Sequence, residues 1–333
     1  YGDHRDLHSF PTRRSSDLMP ALSVGGASRD GYGEGLLRLA GDSRVVVLEA
    51  DLGKSTKSCH FRTQNPDRAI SLGIAEQNMM LVAAGMASSG KIPFASTFAI
   101  FTERAFEQIR NGIARAELTV HICGSHGGIH TGTDGSSAQS IEDLAIYRTI
   151  PGMTVLHPCD DLSAEELTVQ LLDHSGPSYM RTARNKTSRI YDESSVADLS
   201  IGKGSIIREG GDVCILACGV MVSESLAAAD GLIGDGISAA VVDMHTLKPL
   251  DGDLVERFAS ECGCIVTVED HSIIGGLGGA VAEHLSAGFS VPIEMVGVND
   301  RFGESGTPAD LMSNMGLTSK DIQNAAHAAI RRK

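Results

Sequence analysis

The run Val45-Val46-Val47-Leu48-Glu49-Ala50-Asp51 is the strongest constraint in this sequence. β-Branched residues in unbroken succession form a strand buried on both faces, and such strands occur in parallel sheets covered by helices on either side. Around that run, strand and helix patterns alternate. A glycine-rich helical pattern over 29–40 precedes it. Strand patterns at 69–72, 93–96, 118–123 and 153–156 are then each followed by a helical one, at 76–89, 101–114, 141–150 and 163–174. A strand at 178–181 closes this half. Residues 185–200 are polar and aperiodic, the pattern of an interdomain connection. The alternation then resumes on a smaller scale, with strands at 213–218, 238–244, 263–269 and 291–296. Helices at 221–232, 254–260, 280–286 and 319–331 accompany them, the last capped by Thr318 or Ser319. The expectation is α/β with two domains, 19–184 and 201–333, each a mainly parallel sheet flanked by helices and joined by the linker 185–200. Residues 1–18 do not share the character of the rest of the chain and are set apart as a non-native leader before Met19; they lack the apolar stretch of a signal peptide.

A chain of 333 residues has room for two such cores. Its net charge of -14 argues against a nucleic-acid or membrane-surface protein, and no apolar run approaches the length of a membrane span. The seven cysteines are odd in number and form no Cys-x-x-Cys pair. Those at 214, 218, 262 and 264 lie in apolar strand-like runs, as buried free thiols do, which fits a reducing cytoplasm.

Glu76 falls in the first turn of an Ala/Met/Leu-rich helix whose other positions are mostly apolar. An isolated glutamate there simply complements the helix's positive end. Its company changes the weighting: Phe94, Phe98, Phe101 and Phe106 place four of nine phenylalanines within one short stretch. A carboxylate beside aromatic faces can grip a flat, protonatable heterocycle.

The loop 124–139 comes after the carboxyl end of a strand, where open α/β sheets place ligands. Its His126, His130 and Asp134 among glycines suit hydroxyl or phosphate recognition, against the plainer reading of a flexible surface turn. Metal binding by His126 and His130 needs a helix that the glycines oppose. Arg181, Arg184, Lys186 and Arg189 form a basic cluster, with Arg29 and Ser55 at the edges of the first strand unit; together they suit a phosphate or sulfonate, though each alone is as readily a solvated charge. Gly234-Asp235-Gly236 reads as a turn, Gly275-Gly276-Leu277-Gly278-Gly279 as tight packing at a helix start, and His271 as structural or at an interface rather than catalytic.

Taken together, residues 73–79, 98–111 and 125–144 resemble the pyrimidine-binding domain of transketolases. Residues 243–251 and 268–271 resemble the transketolase C-terminal domain, which 1-deoxyxylulose-5-phosphate synthase and the β subunit of 2-oxoacid dehydrogenase E1 share. The likeness spans about residues 25–331. It implies a thiamine-diphosphate-dependent enzyme of pentose phosphate metabolism that moves a two-carbon ketol unit between sugar phosphates. The family's diphosphate-binding domain, with its Gly-Asp-Gly and Asn-Asn motif, is not found, so the resemblance implies the C-terminal subunit of a split transketolase. An N-terminal subunit would then hold Mg2+ and the diphosphate, in an α2β2 assembly. Carried over, Glu76 would hydrogen-bond the N1' nitrogen of the cofactor, with Ile74 beside it. Phe98 and Phe101 would pack on its ring, and Arg104 stands where the family often has another aromatic. His126, also a catalytic candidate, and Asp134 would contact sugar hydroxyls or phosphate. Arg29, Ser55 and Arg184 would line the phosphate end. Ala138 replaces a loop histidine that helps hold the donor ketose, and His130 is a candidate substitute. An E1 β subunit, a 1-deoxyxylulose-5-phosphate synthase-like enzyme and a catalytically silent scaffold are the competing readings; the intact Glu76, Phe98 and Phe101 weigh against the scaffold.

Overall fold

A computed structural model describes residues 22–333; the leader expected at 1–18 lies outside the described residues. The first half builds strands β1 (Val45–Glu49), β2 (Ala69–Ser71), β3 (Ile92–Phe98), β4 (His121–Ser125), β5 (Thr154–Leu156) and β6 (Ser178–Thr182). The second builds β7 (Ser205–Arg208), β8 (Val213–Ala217), β9 (Ala239–Asp243), β10 (Thr246–Lys248), β11 (Ile265–Ser272) and β12 (Ile293–Val298). One sheet runs β10-β5-β6-β4-β3-β1-β2 and the other β12-β11-β8-β9-β7. Every pairing is parallel except β10 with β5 and β7 with β9. The α/β expectation of two mainly parallel, helix-flanked sheets is what is observed. Among the described residues no helix is long and apolar enough to cross a membrane.

Two differences have physical reasons. The expected helix 101–114 is instead an α-turn (Ala99–Thr102), a 3-10 turn (Glu103–Ala105) and a π-wound stretch (Gln108–Ala114). Arg115 N–H bonds back to the Arg110 carbonyl, five residues earlier, and no apolar periodicity reports such winding. Strand β10 carries no strand pattern of its own, yet it crosses from the second half to edge the first sheet, with Thr246 opposite Leu156. His157 N–H donates to the His245 carbonyl at 2.8 Å beside it.

The glycine-rich first helix is explained by a close crossing. Helix Ser28–Arg38 lies against helix Asp161–Gln170. A Cβ on Gly31 would sit 1.9 Å from the Asp161 carbonyl oxygen. At the far end of the chain, Thr318 caps helix Ser319–Arg331 in a reciprocal capping box with Asp321.

One buried acid couples the fold to pH. Asp243, at the end of β9, is fully buried and accepts a hydrogen bond from the Tyr191 hydroxyl at 2.8 Å. Burial pushes its carboxyl up to about 7, and Asp160 adds to the rise. A carboxyl held above its free range favours the fold while protonated. Its contribution is complete below about pH 4 and is lost as pH rises through about 7. Asp243→Asn keeps the shape without the titration. Urea unfolding at about pH 5 and pH 8 should show a flatter pH dependence than the parent, with a relative gain at pH 8 of order 1–4 kcal/mol. An unchanged difference between the two pH values would refute this reading.

Candidate active site

The site is built at the carboxyl ends of β1, β3, β4 and β6, where the strand order reverses around β1 and β3. Glu76 opens the helix Glu76–Ser88, just after the chain turns at Gly73 with φ 72°. The helix's Ala/Met face (Met79, Met80, Ala83, Ala84) is buried, so the first turn is drawn inward with it. Glu76 is consequently only 4% exposed. Its Oε2 lies 3.8 Å from Arg104 Nη1, while Oε1 is buried with no hydrogen-bond partner. A buried carboxylate oxygen lacking a donor is costly, which leaves an acceptor for a group from outside the chain.

From Glu76 the contacts run on without a break. The Arg104 guanidinium lies 4.5 Å from the centroid of Phe101. Phe101 stacks on Phe98 at 5.7 Å and 14°, and Phe98 on His126 at 3.9 Å and 22°. His126 Nε2 is 3.4 Å from Arg29 Nη1, and Arg29 Nη1 donates to the Ser55 carbonyl at 2.9 Å. Arg184 Nη2 lies 3.5 Å from Asp134 Oδ1, and Arg184 Nη1 donates to the Thr131 carbonyl at 3.1 Å. The structure therefore gathers nine of the ten residues that the resemblance assigns to cofactor or substrate. Ile74 is the exception in having no described contact with them; it is 75% exposed on the segment leading into Glu76.

His126 is held in an uncommon conformation, with φ 65° at a non-glycine residue. Its N–H donates to the Thr182 carbonyl at 2.9 Å, its carbonyl accepts from Thr131 Oγ1 at 2.8 Å, and its Nδ1 lies 2.8 Å from Ser125 Oγ. Burial pushes the imidazole down to about 3, with Arg29 and Arg184 adding to the effect. It is thus a neutral hydrogen-bonding group near pH 7. Strain of this kind persists where surrounding bonds over-determine it, as at ligand sites.

Asp270 is the residue supporting the site's loop that sequence reasoning missed. From the second half of the chain it accepts from the N–H groups of Ile129 (2.7 Å) and His130 (3.0 Å), anchoring the loop that carries His126 and Asp134. Nothing local to Glu269-Asp270-His271 signals a partner 140 residues away. His271 is fully buried, with Nε2 accepting from Ala145 N–H at 3.3 Å, as a structural residue would be.

The basic cluster does not hold together. Arg181 is 1% exposed and paired with Asp143, and Arg189 is paired with Asp161, so only Arg184 of that set joins Arg29 at the site. The glycine-rich turn at 275–279 does bind an anion, its own: Glu269 accepts from the N–H groups of Leu277 and Gly278 at 2.7 and 2.9 Å. Among the described residues no three His, Cys, Asp or Glu side chains cluster as metal ligands would. An aminopyrimidine fits the acid end, because the orphaned Glu76 oxygen supplies the acceptor and the phenylalanines supply the faces.

Comparison with known proteins agrees. Residues 27–189 match the family described as "Transketolase, pyrimidine binding domain" and residues 202–322 "Transketolase, C-terminal domain". The chain is 45% identical over 307 residues to the 6-deoxy-6-sulfo-D-fructose transketolase subunit SqwH of Clostridium sp. (strain MSTE9), covering 92% of this chain and 95% of that one. It is 43% identical over 297 residues to the putative transketolase C-terminal section of Methanocaldococcus jannaschii, covering 88% and 93%. Human transketolase is 36% identical over 319 residues, and the match covers 94% of this chain and 51% of that enzyme. A solved structure described as a split gene transketolase, inactive beta4 tetramer, superposes with a TM-score of 0.87 at 44% identity, covering 93% of this chain and all of that one. With both domain families matched over most of its length and such relatives beside it, the chain belongs to the transketolase family.

Proposed function

We propose that this chain is the C-terminal subunit of a split, thiamine-diphosphate-dependent transketolase, active in the cytoplasm with a separate N-terminal subunit in an α2β2 assembly. The observation that carries the reading is the buried, unpartnered oxygen of Glu76 at one end of a contact line whose other end is Arg29 and Arg184. Thiamine diphosphate supplies, when bound, the carbanion-stabilising chemistry of ketol transfer. Glu76 accepts the hydrogen bond of a ring nitrogen and holds a proton at that atom, in a setting where burial strengthens the interaction. Phe98 and Phe101 offer apolar faces and exclude water. His126 stays neutral, so it orients hydroxyls by hydrogen bonding while Arg29 and Arg184 hold the anionic end of the sugar. That end is a phosphate, or a sulfonate as in the sugar named for the Clostridium relative. Mg2+ and the diphosphate fall to the N-terminal subunit.

Calorimetry tests the division of labour. The isolated chain should bind thiamine diphosphate feebly, with Mg2+ making no difference, and should turn over no sugar. Mixing with the N-terminal subunit should restore both binding and ketol transfer. Tight, Mg2+-dependent binding by the isolated chain would contradict the proposal.

A further inference from the structure

His130 shares a loop with His126 but faces the other way. The charges near His126 are those of Arg29 and Arg184, whereas those near His130 are Asp270 and Glu224. His130 lines a cavity of about 430 Å³ between the first domain and the helices of the second. That volume is in the range of small-molecule sites. Its polar wall carries His130, Lys186, Thr187 and Glu224; its apolar wall carries Val220, Met312 and Leu317. Two atoms of residues that line it, His130 Nδ1 and Thr187 Oγ1, are shielded from solvent and have no hydrogen-bond partner. Buried polar groups in folded proteins are paired almost without exception, so two orphans on one cavity wall point to an occupant. Glu224 commits one oxygen, Oε2, to the Ser319 N–H at 2.9 Å and keeps the other available.

We infer that this cavity is a second ligand site, separate from the ketol-transfer site, for a small zwitterion of the α-amino acid class with an aliphatic side chain. A carboxylate meets the Lys186 ammonium and the Thr187 hydroxyl. An ammonium meets Glu224 and the free nitrogen of His130. The aliphatic group lies on Val220, Met312 and Leu317. Neither a plain anion nor a plain cation satisfies a wall that presents both charges. The occupant touches the loop at His130, whose N–H is held by Asp270 and whose carbonyl accepts from Asn185 Nδ2. It therefore biases the same loop that carries His126 and Asp134, and coupling between the two sites is reciprocal.

The test titrates the full chain with L-leucine, isovalerate and isoamylamine, read by calorimetry. L-leucine should bind saturably with a millimolar dissociation constant, and each half-molecule should bind at least about tenfold more weakly. Lys186→Glu at the rim and Met312→Trp, which fills the apolar wall, should each weaken L-leucine by about tenfold or more. Lys186 is exposed, so its variant folds even if the tryptophan variant does not. Three results would overturn the site: no saturable binding of L-leucine, equal binding of all three probes, or parent-like binding by Lys186→Glu. Competitive displacement by a sugar phosphate, with the L-leucine dissociation constant rising in proportion to the sugar phosphate without levelling off, would also overturn it by placing the cavity in the substrate channel; coupling through the loop levels off. The readout needs neither the partner subunit nor turnover, so its failure leaves the proposed activity standing.

Discussion

Glu76→Ala, combined with the N-terminal subunit, should lose ketol transfer by about 10²–10⁴-fold, the range attributed to a positioned acid–base group. The same change should leave the fold as stable as the parent or up to about 1 kcal/mol more so. The reason is the environment of the side chain. It is buried, its Oε1 has no donor, and its nearest cation, Arg104, is 3.8 Å away and largely in solvent. Removing an unmatched buried acceptor relieves a desolvation cost. Loss of activity with stability retained is the mark of a group kept for chemistry. Glu76→Gln is the sharper probe, because it keeps the volume but removes the charge, and its turnover should also collapse. Near-parental turnover in either variant would remove Glu76 from the mechanism. Turnover and urea midpoint should be measured on the same preparation.

The opposite pattern is expected at Arg181. Its guanidinium is sealed beneath Gly127, where a Cβ would lie 2.0 Å from Arg181 Nε. Nη1 donates to the Asp270 carbonyl and Nη2 to the Ser140 carbonyl, both at 2.6 Å, while Nε lies 3.2 Å from Asp143 Oδ2. The Tyr179 hydroxyl also donates to that carboxylate, at 2.6 Å. Removing the arginine would leave a buried carboxylate short of its counter-charge and take a donor from the Asp270 carbonyl, while the Ser140 carbonyl would keep only the Gly128 N–H at 2.7 Å. Arg181→Met should therefore cost about 3–5 kcal/mol, read as a fall in the urea midpoint. Arg181→Lys should recover only part of this, because an ammonium cannot copy the fork. A loss under about 1 kcal/mol would show that the pair contributes little net stability.

These two residues also mark how far the sequence could be read. Glu76 was legible because its signals are local: a helix pattern, an acid in the first turn and phenylalanines close by. The strand and helix rhythm was legible for the same reason. Arg181 was misread as part of an anion-binding cluster, since four basic residues near one strand end look alike until burial separates them. What separates them is Asp143, 38 positions earlier, and the Asp270 carbonyl, 89 positions later. Neither distance leaves a trace in periodicity. Strand β10 was missed because an edge strand of three residues needs no pattern of its own when its partner supplies the register. Asp270 escaped notice because its acidic neighbour and the histidine after it made the whole segment look structural, which Glu269 and His271 are.

The loan of β10 has a further consequence. Cutting the backbone anywhere within 185–200 would not yield two free bodies. The front piece would be left with β5 as a bare sheet margin, and the rear piece would carry the strip that covers it, continuous with β9 through Met244 and His245. The halves are laced rather than docked, so a nicked chain would still be held together by main-chain pairing.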